Sequence, residues 1–239
     1  MSDTDPNDVN AQLAQAQQYF ANKAYDQALP IYTTLANAGN STAQSELGWM
    51  YLDGFGVTPD YQKAFDLFTQ AQNSNSDAAN RLGYMYEKGV GVEQSYAEAL
   101  RLYTQAANAN NSEGLNNLGW LYDQGLGVPS DPAKAFDLYN KAIAVNNNTD
   151  AQEALGCLYR DGRGTTQDYQ KAKALFILAA ADENDYAQYD LGCMYRDGLG
   201  IPTDIMQAIH YFTLSANQGN TDAKTALQNL QTGAGKRAY

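Results

Sequence analysis

Leu82-Gly83-Tyr84-Met85-Tyr86, then Lys88-Gly89-Val90-Gly91-Val92, then Ala99 to Ala107, is the stretch on which the reading of this chain turns. The unit it represents occurs five times in 239 residues. Its leading glycines are Gly48, Gly83, Gly119, Gly156 and Gly192, at successive distances of 35, 36, 37 and 36 residues. A period of that length has room for two helices. It predicts an all-α fold, an α/α solenoid with two helices per unit, in which each repeat shares its core with its neighbours.

One spacing inside the unit never changes. Twelve residues after each leading glycine stands a short polar residue: Asp60, Ser95, Asp131, Asp168 and Asp204. Asp and Ser are good helix N-caps because their side-chain oxygen accepts a bond from a free N–H of the first turn. Pro132 follows Asp131 at the first helical position, where proline is tolerated. The first helix of each unit is expected to stop at Gly54, Gly89, Gly125, Gly162 and Gly198 in a left-handed conformation. A second glycine follows two residues later in every unit. These Gly-x-Gly segments follow no strand and lack the third glycine of a dinucleotide fingerprint, so they read as turns rather than phosphate cradles.

Four more columns complete the pair. Tyrosine recurs three residues after the leading glycine (Tyr51, Tyr86, Tyr122, Tyr159, Tyr195) and alanine four after the cap (Ala64, Ala99, Ala135, Ala172, Ala208). An aromatic recurs eight after the cap (Phe68, Tyr103, Tyr139, Phe176, Phe212), and a small residue three beyond that (Ala71, Ala106, Ala142, Ala179, Ser215). Offsets of three and four share one helical face. Small residues let helices approach, and the aromatics fill the space beside them. The tyrosine column reads as buried packing with bonded hydroxyls rather than as chemistry.

The ends differ from the middle. Residues 1–8 read as a disordered N-terminus and 9–40 as a helix pair without the Gly-x-Gly turn. Residues 41–220 hold the five repeats, 221–231 a C-terminal capping helix with Gln228 in the glycine's place, and 232–239 a tail. The net charge is −12, with −8 in residues 1–120 and −4 in 121–239. That balance argues against nucleic acid or an anionic membrane as partner. No apolar run approaches the ~20 residues that span a bilayer, and the start is polar with no leader pattern. The expected place is the cytoplasm. Cys157 and Cys193 hold equivalent positions in adjacent repeats, too far apart for a disulfide, so free thiols are expected.

The columns together resemble the Sel1-like repeat proteins, relatives of the tetratricopeptide repeats. The resemblance covers about Ser41 to Asn220, and the N-terminal pair is similar to a plain tetratricopeptide repeat. It implies antiparallel helix pairs stacked into a right-handed superhelix, with first helices lining the concave face. It also implies the family's usual work as adaptors, scaffolds and signalling components that bind other proteins. Some secreted bacterial members carry a cysteine pair in each repeat and are linked to penicillin binding; this chain lacks those pairs. Others lie beside toxin genes as neutralising partners.

If first helices line a groove, the variable positions between the packing columns should face a partner. One after the glycine these are Trp49, Tyr84, Trp120, Cys157 and Cys193; three before it, Ser45, Asn80, Asn116, Glu153 and Tyr189; four after it, Leu52, Glu87, Asp123, Arg160 and Arg196. Trp, Tyr and Arg are common hot-spot residues, worth up to ~2–4 kcal/mol each at an interface, and Asn side chains can clamp a peptide backbone. The expected partner-binding residues are therefore Trp49, Tyr84, Trp120, Asn80, Asn116, Glu87, Asp123, Tyr189, Arg160 and Arg196. They would hold a peptide or protein segment with apolar and basic groups at one end and a carboxylate near Arg160 and Arg196. A rival reading has Trp49 and Trp120 only packing across repeats. No catalytic residue, metal or cofactor is expected, and a monomer is favoured. The function read here is a non-enzymatic interaction scaffold. The alternatives are an immunity-type partner of a bacterial toxin, or a thiol-dependent or hydrolytic enzyme. An arginine three residues after each cysteine is the one feature that could activate a thiol. His210, the single histidine, is expected on an outward face.

Overall fold

A computed structural model describes residues 8–233. These form thirteen helices and no strand. In chain order they are α1 (Val9–Ala21), α2 (Tyr25–Asn37), α3 (Ser41–Asp53), α4 (Tyr61–Ala71), α5 (Ser76–Lys88), α6 (Tyr96–Asn108), α7 (Ser112–Gln124), α8 (Pro132–Asn146), α9 (Thr149–Asp161), α10 (Tyr169–Ala181), α11 (Asp185–Asp197), α12 (Ile205–Asn217) and α13 (Thr221–Gln231). Consecutive helices pack as pairs, and the fold class is the α/α solenoid that the period predicts. The expectations for residues 1–7 and 234–239 lie outside the described residues; Asp8, placed with the disordered start, caps α1 by accepting from the Asn10 N–H. The helices belong to two compact bodies, one reaching Leu118 and including Leu126–Val128, the other made of Gly119–Gly125 and the chain from Pro129.

The fixed twelve-residue spacing has a backbone cause. The cap residue's own N–H donates to the carbonyl of the column tyrosine: Asp60 to Tyr51, Ser95 to Tyr86, Asp131 to Tyr122, Asp168 to Tyr159 and Asp204 to Tyr195, at 2.8–2.9 Å. Each capping side chain then accepts from the second helix's first turn, as at Lys63 N–H and Lys171 N–H (both 3.0 Å). The first-helix stops are left-handed glycines, with φ of 67–78°. The Gly-x-Gly turn is tight on its outer side too. A Cβ at Gly56 would meet the Tyr25 Cβ at 2.5 Å, and one at Gly91 would meet the Tyr61 Cβ at 2.5 Å. The second glycine therefore seats each turn on the start of the preceding second helix.

The leading glycines are explained by the aromatic column. A Cβ at Gly48, Gly83, Gly119 or Gly156 would lie 2.5–2.7 Å from a ring carbon of Phe68, Tyr103, Tyr139 or Phe176. Those rings and Phe212 are at most 1% exposed. The column tyrosines, by contrast, are half-buried rather than buried. Their rings carry lysines: Lys63 over Tyr51 (5.0 Å), Lys134 over Tyr122 (3.9 Å) and Lys171 over Tyr159 (5.0 Å). The backbone carbonyl of these tyrosines holds the loop, while the ring covers its rim.

The links between repeats hold a second set of caps. Asn40, Asn75, Asn148, Asn184 and Asn220 cap first helices, and Asn111 accepts from the Gly114 N–H at 2.8 Å. The spare amide of three of them crosses to the preceding first helix: Asn111 to Asp77 (2.6 Å), Asn184 to Asp150 (2.9 Å) and Asn220 to Asp185 (3.1 Å). Replacing Asn184 by Ala removes a cap and a cross-repeat bond together. A loss of about 1–2 kcal/mol is expected in urea unfolding; a loss indistinguishable from zero would show that solvent replaces both bonds.

Candidate functional site

The first-helix positions expected to meet a partner separate into packed, paired and open side chains. In the first body, Asn80 is 4% exposed; it donates to Glu113 Oε2 (3.0 Å) and accepts from Asn117 Nδ2 (2.9 Å). Glu87 is 6% exposed and accepts the Tyr103 hydroxyl at 2.7 Å, with Lys88 on its other oxygen. Both were expected at a surface, and both are instead buried because their polar atoms complete contacts inside the stack. Trp49 is half-buried. Its ring stands 5.0 Å from Phe20 and 5.4 Å from Phe55, Arg81 stacks over it at 4.2 Å, and its indole N–H donates to Asp53 (2.6 Å). The rival reading thus describes Trp49 well: it joins α1, α3, α5 and the turn after α3. Tyr84 is 41% exposed. Asn116 is half-buried.

In the second body, Trp120 and Tyr189 are half-buried. Tyr189 lies 5.6 Å from Phe212, and burial together with the neighbouring Cys193 pushes its hydroxyl pKa up to about 12. The Asp123 side chain is 7% exposed and accepts from Arg163 at 2.8 Å. Arg160 is bound to Asp161 (2.8 and 3.1 Å) and to Asp190 (2.7 Å). Arg196 grips Asp197 through two bonds (2.7 and 2.6 Å). A partner carboxylate at these arginines would compete with carboxylates already in place.

The column four after the glycine varies for an internal reason. Where the buried aromatic is tyrosine (Tyr103, Tyr139), the residue is an acid (Glu87, Asp123). Where it is phenylalanine (Phe68, Phe176, Phe212), the residue is Leu52, Arg160 or Arg196. A buried hydroxyl needs a partner, and Glu87 supplies it.

The thiols are free, but their environment runs opposite to activation. Burial pushes the Cys157 thiol pKa far up, and Glu153 and Asp190 add to it more than Arg160 takes away. Burial raises Cys193 as well, against the lowering charge of Arg196. Arg160 and Arg196, the feature that could have activated these thiols, lower them less than burial raises them. His210 is exposed against Tyr211.

The column that sequence reading passed over lies two before the glycine. Arg81 covers Trp49 of the preceding repeat, Asn117 bonds Asn80, and Asp190 reaches Cys157 and Arg160. The chemistry differs at each step, so no single residue type marks the column.

Comparison with known proteins follows the same repeats. The Sel1 repeat pattern matches residues 41–73, 76–111, 112–147, 149–184 and 185–220. No curated protein matches the chain. Among solved structures, a Sel1 repeat protein from Oxalobacter formigenes is 27% identical, over 92% of this chain and 87% of that one, with a TM-score of 0.80. The protein c5321, a protective antigen present in uropathogenic Escherichia coli strains, is 30% identical over 95% of this chain, with a TM-score of 0.72. This chain spans 50% of that protein's length. The immunity protein Pa5087 from Pseudomonas aeruginosa is 20% identical over 91% of this chain and 84% of that one, with a TM-score of 0.60, a likeness of fold. No helix among the described residues is long and apolar enough to cross a membrane.

Proposed function

The chain belongs to the Sel1-repeat family, generally a non-enzymatic protein-interaction fold, and from that premise we propose that it is a scaffold binding a protein segment along its first helices. One observation carries the reading: within a constant packing frame, Tyr84 keeps 41% of its surface open. The frame accounts for Gly83, Tyr86, Ala99 and Tyr103, and leaves the Tyr84 ring without a packing duty of that kind. Half-buried Asn116 adds an amide to the face of the first body, and Trp120 and Tyr189 offer aromatic surface in the second. The preferred segment carries apolar and basic side chains, since residues 1–120 have a net charge of −8 and opposite charge steers association. Its seat is the first body rather than Arg160 and Arg196, whose guanidinium groups are engaged. Raised thiol pKa values leave a thiol enzyme without support from Cys157 or Cys193. The cytoplasm suits the free thiols. Neutralisation of a toxin is a special case of the same binding, and identifying the bound protein would reveal it.

Tyr84→Ala tests the reading, because removing an exposed ring leaves stability within about 0.5 kcal/mol. Full-length protein and this variant serve as bait in extract of the native host, with Trp120→Ala beside them. A partner held by the parent and lost, or weakened at least tenfold, by folded Tyr84→Ala is the expected result. Retention of every partner by both variants removes the first-helix face from the function. Trp49→Ala is a poor probe, since it opens the Phe20–Phe55–Arg81 packing.

A further inference from the structure

Glu153 and Cys157 stand one turn apart on α9, and Asp190 meets them from α11 in the next repeat. The Cys157 thiol donates to Glu153 Oε1 at 3.0 Å and lies 3.3 Å from Asp190 Oδ2. Arg160 donates to the other Asp190 oxygen at 2.7 Å while also holding Asp161. The thiol sulfur and one oxygen of each carboxyl fall within 4.8 Å of one another. One thiol hydrogen serves two carboxyl groups here, and one guanidinium is divided between Asp190 and Asp161. A buried carboxylate, Asp190, and a half-buried one, Glu153, so close favour keeping a proton on one of them. A guanidinium already on Asp190 makes the same cluster a poor cation site.

We propose that Glu153, Cys157 and Asp190 form a proton-gated clasp between the fourth and fifth repeats, closed while one carboxyl is protonated and loosened when both ionise. The surroundings support the closed form. From α8, Tyr139 faces the cluster, with Asp123 and Arg163 acting on it. From α10, the uncharged ring of Phe176 lies on α9 at Gly156. On α11, Cys193 lies beyond Asp190. Burial, reinforced by Asp190 and opposed by the Cys157 bond and Arg160, pushes Glu153 up to about 7; burial raises Asp190 also.

The sign follows from linkage. An ordinary unfolded Glu titrates near ~4.3, below the folded value. The clasp's contribution is therefore full below about pH 4.3 and is lost as pH rises through about 7. Between those two values the folded-to-unfolded ratio falls steadily as pH rises, and above about 7 this group lowers it no further.

The test compares full-length protein with Glu153→Gln, which mimics the protonated carboxyl. Amide exchange in α9 and α11 is read at pH 5 and pH 8.5, each variant against its parent at the same pH. A parent-to-variant rate ratio at least tenfold larger at pH 8.5 than at pH 5 is expected. Equal rates at both pH values overturn the clasp. Should Glu153→Gln fail to fold, carbon NMR of the parent's glutamate carboxyls decides. A Glu153 titration near 7 supports the clasp, and one near the ordinary value ends it.

Discussion

Phe176→Ala should cost about 3–5 kcal/mol, the price of truncating a fully buried ring, and Gly156→Ala about 2–3 kcal/mol by overpacking. The second number runs against intrinsic preference, since alanine favours a helix interior over glycine by about 1 kcal/mol. What reverses the sign is position. A Cβ at 156 would stand 2.5 Å from Phe176 Cε1 and 2.8 Å from Cδ1, and the ring is 0% exposed. Neither α9 nor α10 can retreat cheaply, because the Asp168 N–H ties their connection to the Tyr159 carbonyl at 2.9 Å. The two substitutions should therefore not add. With the ring gone, the new methyl occupies part of the space it leaves, and the double variant should be more stable than the sum of losses predicts by about 1–3 kcal/mol. Urea unfolding of the four proteins reads the coupling directly. Additive losses would mean that something other than ring contact requires the glycine.

Glu87→Leu should destabilise by about 1–3 kcal/mol, although leucine occupies the same column at Leu52. The loss comes from Tyr103, whose buried hydroxyl donates to Glu87 at 2.7 Å and would be left without that acceptor. Adding Tyr103→Phe recreates the Leu52–Phe68 combination of the first repeat and should recover most of the loss. Tyr103→Phe alone strands the Glu87 carboxylate beside Lys88, an incomplete replacement. Thermal and urea melts of the cycle distinguish this from a solvent-facing Glu87, for which all three variants would match the parent within about 0.5 kcal/mol.

The parts of the fold that were legible are those whose cause is local. A glycine that must adopt positive φ, or an Asp that must cap, announces itself by type and spacing, so Gly54, Gly89 and Asp60 could be placed without coordinates. The asparagine caps were equally available, eight residues before each leading glycine, from Asn40 to Asn184. The candidate surface was far less legible. Variation within a column was read as exposure, yet Glu87 varies with Tyr103, and Asp190 with Cys157 and Arg160. Such positions are set by a residue sixteen to thirty-three places away, so each column examined alone looks unconstrained. Tyr84 is the position where variability and exposure coincide.

The bond from cap amide to tyrosine carbonyl also makes each unit a self-closing cassette. The loop that closes its two helices lies between the leading glycine and the cap, a span of the same length in all five units. What joins one unit to the next is the asparagine link, where length already differs. An excision running from Gly156 to just before Gly192 therefore rejoins like to like: Leu155 meets Gly192, the Tyr195–Asp204 closure survives, and the array is shortened without a change of phase. The same logic lets a duplicated unit enter in frame. Array length in this protein is free to vary by whole units, whereas a single residue added inside one would misalign every helix after it.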